Sequence, residues 1–178
     1  MKKFGTTIAG FGGQGVLFVG QVLAHAGMLE GKYISWIPSY GAEMRGGTAH
    51  CFVTIAEKEI SSPLVEAPEG LLIFNKPSLE KFESSAAKDG YLLLNSSLVD
   101  IEPRRSDLNI YKLSASEMAA ELGNNRVFNL IMLGAFVKAT GIVELDSVKK
   151  ALEEIVSKKR KDMLPLNLEA FSKGVEAV

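Results

Sequence analysis

Cysteine is nearly absent: Cys51 is the only one in 178 residues. One thiol closes no intramolecular disulfide and cages neither zinc nor an iron–sulfur cluster, and the scarcity points to a reducing, cytoplasmic setting. Histidine is scarce as well. His25 and His50 stand far apart with no ligand spacing between them, which argues against a transition-metal site. A surplus of one charge is also missing, because 20 Lys and Arg against 21 Asp and Glu leave a formal net charge of −1. No overall basic field holds the chain on nucleic acid or an anionic membrane, so any anion site is local. No apolar run reaches the roughly 20 residues of a bilayer span; Val127 to Val137 is interrupted by Asn129. Lys2, Lys3 and Ala24-His25-Ala26 imitate the ends of a secretory signal, but Gln14 and the glycines from Gly5 to Gly15 break its middle. That stretch is expected to belong to the folded domain.

What is present describes an ordinary folded chain, 47% hydrophobic and 23% charged with 6 prolines. The length suits one domain, residues 1–178. Phe4 to Ala9 reads as a strand, followed by a glycine turn and a helix with Val16, Gly20, Leu23 and Gly27 on one side and Gly31 as its stop. Tyr33 to Ile37 reads as a second strand ended by Pro38, and Thr48 to Ala56 as a third. Glu57-Lys58-Glu59 is expected to turn the chain into a return strand starting at Ile60, forming a hairpin. Gly70 to Phe74 and Tyr91 to Leu94 are short apolar runs suited to strands buried on both faces, with a helix over Pro77 to Ala87 between them. Asn109 to Leu113 is a last strand, followed by helices over Ser114 to Leu122, Phe128 to Thr140 and Asp146 to Val156, the last with Asp146 as N-cap. The fold class expected is α/β, a three-layer sandwich with a mainly parallel sheet, an antiparallel hairpin at one edge and a helical C-terminal part.

Gly10-Phe11-Gly12-Gly13-Gln14-Gly15 satisfies G-x-G-x-x-G between a strand and a helix. There, glycines let an anion approach the unpaired N–H groups of a helix start. The same glycines equally serve a sharp turn and close packing with no ligand. The dinucleotide version of the motif requires a carboxylate at the end of the second strand. That end is Ile37-Pro38-Ser39, and Glu30 precedes the strand, so the pattern argues against NAD.

A long loop follows, Ser39-Tyr40-Gly41-Ala42-Glu43-Met44-Arg45-Gly46-Gly47-Thr48. It opens at the carboxyl end of a strand, where open α/β sheets form their ligand crevice, and is expected beside the glycine turn. Arg45 offers a planar fork to a carboxylate or phosphate, with Glu43 orienting it or simply pairing with it in a solvated loop. Tyr40 and Met44 suit packing. The basic run Lys158-Lys159-Arg160-Lys161 reads as solvated charge at a helix C-terminus, and Cys51 as a small buried hydrophobe with His50 on the opposite face. Asn129 has no chemical role legible in the sequence.

The turn Gly10 to Gly15, the loop Tyr40-Gly41-Ala42-Glu43-Met44-Arg45-Gly46-Gly47-Thr48 and the stretch Asn129-Leu130-Ile131-Met132-Leu133-Gly134 together closely resemble the γ subunit of 2-oxoacid:ferredoxin oxidoreductases, nearly end to end. Within that family the chain looks like the γ chain of a 2-oxoglutarate or branched-chain 2-oxoacid enzyme, close to the pyruvate/ketoisovalerate γ group, with the small subunit of indolepyruvate oxidoreductase a related alternative. The resemblance implies a complex that decarboxylates a 2-oxoacid on thiamine diphosphate with Mg, sends electrons through 4Fe-4S clusters to ferredoxin, and transfers the acyl group to coenzyme A. It implies partner chains carrying the thiamine and iron–sulfur sites, and no cofactor bound by this chain alone. The family's Gly-Asp-Gly cofactor signature is not matched by Asp89-Gly90, and Asn95 follows too closely. The role implied here is assembly and the coenzyme A side of the site. A self-contained nucleotide-binding protein using the glycine turn, or a purely architectural subunit, are the competing readings.

Overall fold

The computed structural model describes residues 3–39, 48–156 and 162–178. Most of the expected loop, Tyr40 to Gly47, and the basic run Lys158 to Lys161 lie outside the described residues. Six strands form one sheet: β1 (Lys3–Phe11), β2 (Tyr33–Ser39), β3 (Thr48–Ala56), β4 (Gly70–Ile73), β5 (Tyr91–Asn95) and β6 (Asn109–Leu113), in the order β2-β3-β1-β4-β5-β6. β3 runs antiparallel to both its neighbours, while β1, β4, β5 and β6 are mutually parallel. Five strands therefore point one way and β3 alone is reversed.

Helices α1 (Val16–Leu29), α3 (Ala115–Glu121), α4 (Phe128–Thr140), α5 (Leu145–Ile155) and α6 (Leu164–Glu176) gather on one side, and α2 (Lys76–Phe82) on the other. Strand alternation divides the core accordingly. Leu72 and Phe74 pack with Ile8, Cys51, Leu93 and α4, whereas Leu71 and Ile73 pack with Ala9, Leu92 and Leu94 under Leu79 and Phe82 of α2. Burying each such side chain stabilises by about 1.5–3 kcal/mol. Both faces of the parallel strands are thus covered, which explains their unbroken apolar sequence. α6 reaches α4 through two glycines, since a Cβ on Gly174 would overlap the Ile131 carbonyl and one on Gly134 the Phe171 carbonyl.

The strand expected at Ile60 does not form. β3 already has β1 on one edge and β2 on the other, so no ladder is open to it. Residues 57–69 instead lead back to β4 without regular structure, and the Glu69 carboxylate accepts the Gly5 N–H at 2.6 Å. The antiparallel element at the edge is β3 with β2. Pro38 does not end β2 but sits inside it, opposite Cys51, tolerated because β2 is an edge strand with one unpaired side.

The helix expected over Pro77 to Ala87 ends at Phe82 and tightens into a 3₁₀ turn, Glu83–Ser85. Glu83 turns its carboxylate inward there to accept the Arg104 and Arg105 backbone N–H groups. Asp146 is not the N-cap of α5; Glu144 holds that position and Asp146 lies in the first turn, paired with Lys149 at 3.0 Å. Gly31 ends α1 with a positive φ of 71°, where the Lys32 N–H reaches the Gly27 carbonyl and the Gly31 N–H that of Met28.

Candidate functional site

The carboxyl ends of the five like-directed strands, Phe11, Ser39, Ile73, Asn95 and Leu113, define one end of the sheet. The glycine turn leaves β1 there. Thr48 pairs in register with Phe11, and Ser39 with His50, so both ends of the segment 40–47 are anchored at this end, one directly beside the turn. Gly12 and Gly13 are exposed at the tip. Gly13 and Gly15 take φ values of 93° and 79°, a region that favours glycine, and Gly15 is the N-cap of α1.

Two side chains build the turn from within. Gln14 folds back so that its Oε1 accepts the Phe11 N–H at 2.6 Å, while its own N–H reaches the Phe11 carbonyl at 3.1 Å. Asn129, buried at the start of α4, donates from Nδ2 to the Gln14 carbonyl at 3.2 Å. A Cβ on Gly15 would overlap that Asn129 amide. Asn129 is thus the residue that fixes the turn from 115 positions away. Gln14 fills part of the concavity, and the first-turn N–H groups of α1 remain without intrahelical acceptors, the arrangement that attracts an anion.

Beside the turn lies a cleft of about 490 Å³ between Phe11, Gln14, the chain entering α2 and the loop after β5. Asn75 caps α2, its Oδ1 accepting the Ser78 N–H at 2.9 Å. Its Nδ2 is buried with no partner among the described residues, as is Ser97 Oγ. The aliphatic and aromatic surfaces of Leu98 and Phe11 border the same space, and Lys76 pairs with Asp100 at 3.4 Å on its rim.

His50 and Cys51 point to opposite faces, as alternation requires. The His50 ring packs against Phe52 and Phe82, and burial together with the Lys81 charge holds its pKa below the ordinary value. Cys51 is fully buried, hydrogen-bonds the Val16 carbonyl at 3.6 Å, and burial pushes its thiol up to about 12. It is neither a nucleophile nor a ligand. Asp89 and Gly90 form the turn that enters β5, with Asp89 in the left-handed region and its carbonyl held by Asn109. Asn95, at the far end of the same strand, is buried against Ser116. The two are about 20 Å apart along an extended chain and do not form one site. Among the described residues no cluster of His, Cys, Asp or Glu is fit to hold a metal ion, and no helix is long and apolar enough to cross a membrane.

The sequence profile described as pyruvate ferredoxin/flavodoxin oxidoreductase matches residues 6–177. The chain belongs to that family. It is 39% identical over 171 residues to the ketoisovalerate oxidoreductase subunit VorA of Methanothermobacter marburgensis, a match covering 95% of this chain and 35% of that one. It therefore spans about a third of the VorA length. It is 33% identical over 172 residues to the 2-oxoglutarate synthase subunit KorC of Methanocaldococcus jannaschii, covering 95% of this chain and 90% of KorC. Among solved structures, the γ subunit of a keto/oxoacid ferredoxin oxidoreductase from Geobacter sulfurreducens superposes with a TM-score of 0.85 at 27% identity, over 98% of this chain and 97% of that one. In this chain the sequence stretch beginning at Asn129 is the part of α4 that fixes the glycine turn.

Proposed function

We propose that this chain is the γ component of an oxidoreductase complex that oxidatively decarboxylates a 2-oxoacid to its coenzyme A thioester, with ferredoxin as electron acceptor. The observation that carries the reading is the family match from residue 6 to 177 on a chain whose glycine turn stands beside the anchored ends of the Arg45 loop. Relatives named for ketoisovalerate, 2-oxoglutarate and pyruvate span one substrate class, the 2-oxoacids. A neighbour of 24% identity, with a TM-score of 0.87, is a 2-oxoglutarate:ferredoxin oxidoreductase from Magnetococcus marinus with 2-oxoglutarate, coenzyme A and succinyl-CoA bound. At that identity it speaks for the fold, and its bound thioester defines the test rather than the site.

The residues present do not fit an iron–sulfur cluster, because Cys51 is the only thiol and is buried and protonated. Asp89-Gly90, in a turn at the opposite end of the sheet, is equally unsuited to thiamine diphosphate. Partner chains supply those steps, inside the reducing cytoplasm. This chain's share is the acceptor: the turn Gly10, Gly12, Gly13, Gln14 and Gly15, through backbone N–H groups of its glycine tip, and the guanidinium of Arg45 bind phosphates of coenzyme A or contact the partner subunit. Ser39 and Thr48 anchor the loop; Tyr40, Gly41, Glu43, Met44, Gly46 and Gly47 form its contact with the partner subunit.

Isolation of the tagged chain from its native cells without oxygen is expected to bring down chains with thiamine-binding and multi-cysteine signatures. Recovery of the chain alone while the complex is expressed would overturn the reading. In the assembled complex, Arg45→Ala is expected to raise the coenzyme A requirement. An unchanged requirement with intact assembly removes Arg45 from that role.

A further inference from the structure

The sheet has two edge strands, and they are guarded differently. β6 is five residues long and carries Lys112, which pairs with Glu102. β2 is seven residues long, Tyr-Ile-Ser-Trp-Ile-Pro-Ser, with no charged residue in it. Every one of those residues keeps some exposure, Tyr33 as much as 51%. An uncharged, largely apolar edge of that length is a template for another strand.

The register tells which backbone groups this edge offers. The Gly5 N–H bonds Glu69 at 2.6 Å and the Ala9 carbonyl accepts the Phe74 N–H at 2.9 Å. Gly5, Thr7 and Ala9 therefore turn their backbone groups toward β4, and Phe4, Thr6 and Ile8 turn theirs toward β3. Carried through the pairings, Ile55, Val53 and Cys51 bond toward β1, Thr54, Phe52 and His50 toward β2, and Ser35, Ile37 and Ser39 back toward β3. Ile34, Trp36 and Pro38 are left pointing outward. The N–H that Pro38 lacks is one that β3 never needed, while Ile34 and Trp36 each present a donor and an acceptor to the open side.

We propose that a second copy of this chain pairs antiparallel with β2 about a two-fold axis at Ser35, joining the two six-stranded sheets into one. The strand selects this occupant because it is complementary to its own reverse. With Ile34 opposite Trp36 of the second copy, the outward donors and acceptors of both residues are all used. On one face Tyr33 then meets Ile37 of the second copy, on the other Ile34 meets Trp36, and Ser35 meets itself. Aromatic stands against β-branched and small polar against small polar, the pairs that stabilise adjacent strands. Placing Trp36 opposite itself instead sets Ser35 against Ile37 and Ile34 against Pro38, which has no N–H to give the Ile34 carbonyl. The contact uses the same patch on both copies, so it closes at a dimer.

The full-length chain is tested by sedimentation equilibrium, where it is expected to run as a dimer, and the assembled complex by cross-linking. Ser35 faces itself in a non-hydrogen-bonded pair, where Cα atoms lie about 4.5 Å apart, within reach of a disulfide. Ser35→Cys is expected to cross-link two copies on treatment with diamide, in the isolated chain and in the complex, and Ser39→Cys is not; Cys51 is buried and does not compete. Ser35→Lys and Ser35→Glu each set like charges face to face and are expected to weaken the dimer roughly 10- to 100-fold. Mixing the two is expected to restore it, which a folding defect would not do. A monomeric wild-type chain, a dimer in which Ser35→Cys does not cross-link, or Lys and Glu forms that fail to recombine would each overturn the pairing. So would a Ser35→Cys bond to a different polypeptide in the complex, which gives the edge to a partner chain.

Discussion

The two ends of the sheet are built from the same strands and differ in how their connections are closed. At the amino ends of the parallel strands, side chains and backbone satisfy one another: Glu69 takes the Gly5 N–H, Asn109 holds the Asp89 carbonyl, and Arg105 grips Asp107 through both carboxylate oxygens and the Ala86 carbonyl. At the carboxyl ends, Asn75 Nδ2, Ser97 Oγ and His50 Nδ1 are buried with no partner among the described residues, and Phe11 and Leu98 stand exposed. The amino end is not fully closed either, since Thr6, Thr7 and Thr54 Oγ1, buried on the strands there, have no partner among the described residues. What sets the carboxyl end apart is that Asn75 and Ser97, each with an unpartnered polar atom, line one cleft together with the exposed Phe11 and Leu98.

The comparison breaks most sharply at Gly15, a position at the binding end that is structural. Gly15→Val combines left-handed backbone strain with overlap of the Asn129 amide, and is expected to cost about 3 kcal/mol or more in a urea titration of the isolated chain. Next comes Glu83→Ala, which orphans the N–H groups of Arg104 and Arg105; a loss of about 2–3 kcal/mol with unchanged coenzyme A binding is expected. Glu69→Ala releases only the Gly5 N–H and is expected to cost about 1–2 kcal/mol in the same titration, again sparing the ligand. Arg45→Ala inverts the pattern, with coenzyme A binding weakened in the assembled complex and the urea midpoint of the isolated chain unchanged. If Glu69→Ala weakens the ligand as much as Arg45→Ala does, the two ends are not divided in this way.

The smallest effect is a pH dependence. His50 has a folded pKa below its ordinary 6.5. On acidification the unfolded chain takes up the proton first, so stability falls as pH drops below about 6.5 toward the folded value. His50→Phe is expected to flatten that part of the stability-against-pH curve.

Local periodicity carried much of the architecture. Thr48–Ala56, Asn109–Leu113 and Phe128–Thr140 have the boundaries their patterns indicate, because apolar alternation and glycine stops act within a few residues. Ile60 was misread for a nonlocal reason: a residue of strand-forming type needs a free edge, and whether β3 has one depends on β1 and β2. Glu83 ended a helix early for a similar reason, since its partners at Arg104 and Arg105 arrive later in the chain. At the site, the glycine turn was visible as a motif, whereas the roles of Asn75 and Asn129 were not. Asparagine is common in caps and turns, and only the fold shows that one leaves its Nδ2 without a partner among the described residues while the other donates to the Gln14 carbonyl.

The tie between Asn129 and the glycine turn also orders events during synthesis. β1 and the turn are among the first residues made, yet β1 lies in the middle of the sheet, between β3 and β4, and its turn is clasped by a residue of α4. A nascent chain that ends before α4 holds the motif without the clamp, and closing that long-range contact belongs to the late, slow part of folding. An incomplete chain therefore presents an unset turn, whose geometry is complete only once the helical C-terminal part has emerged.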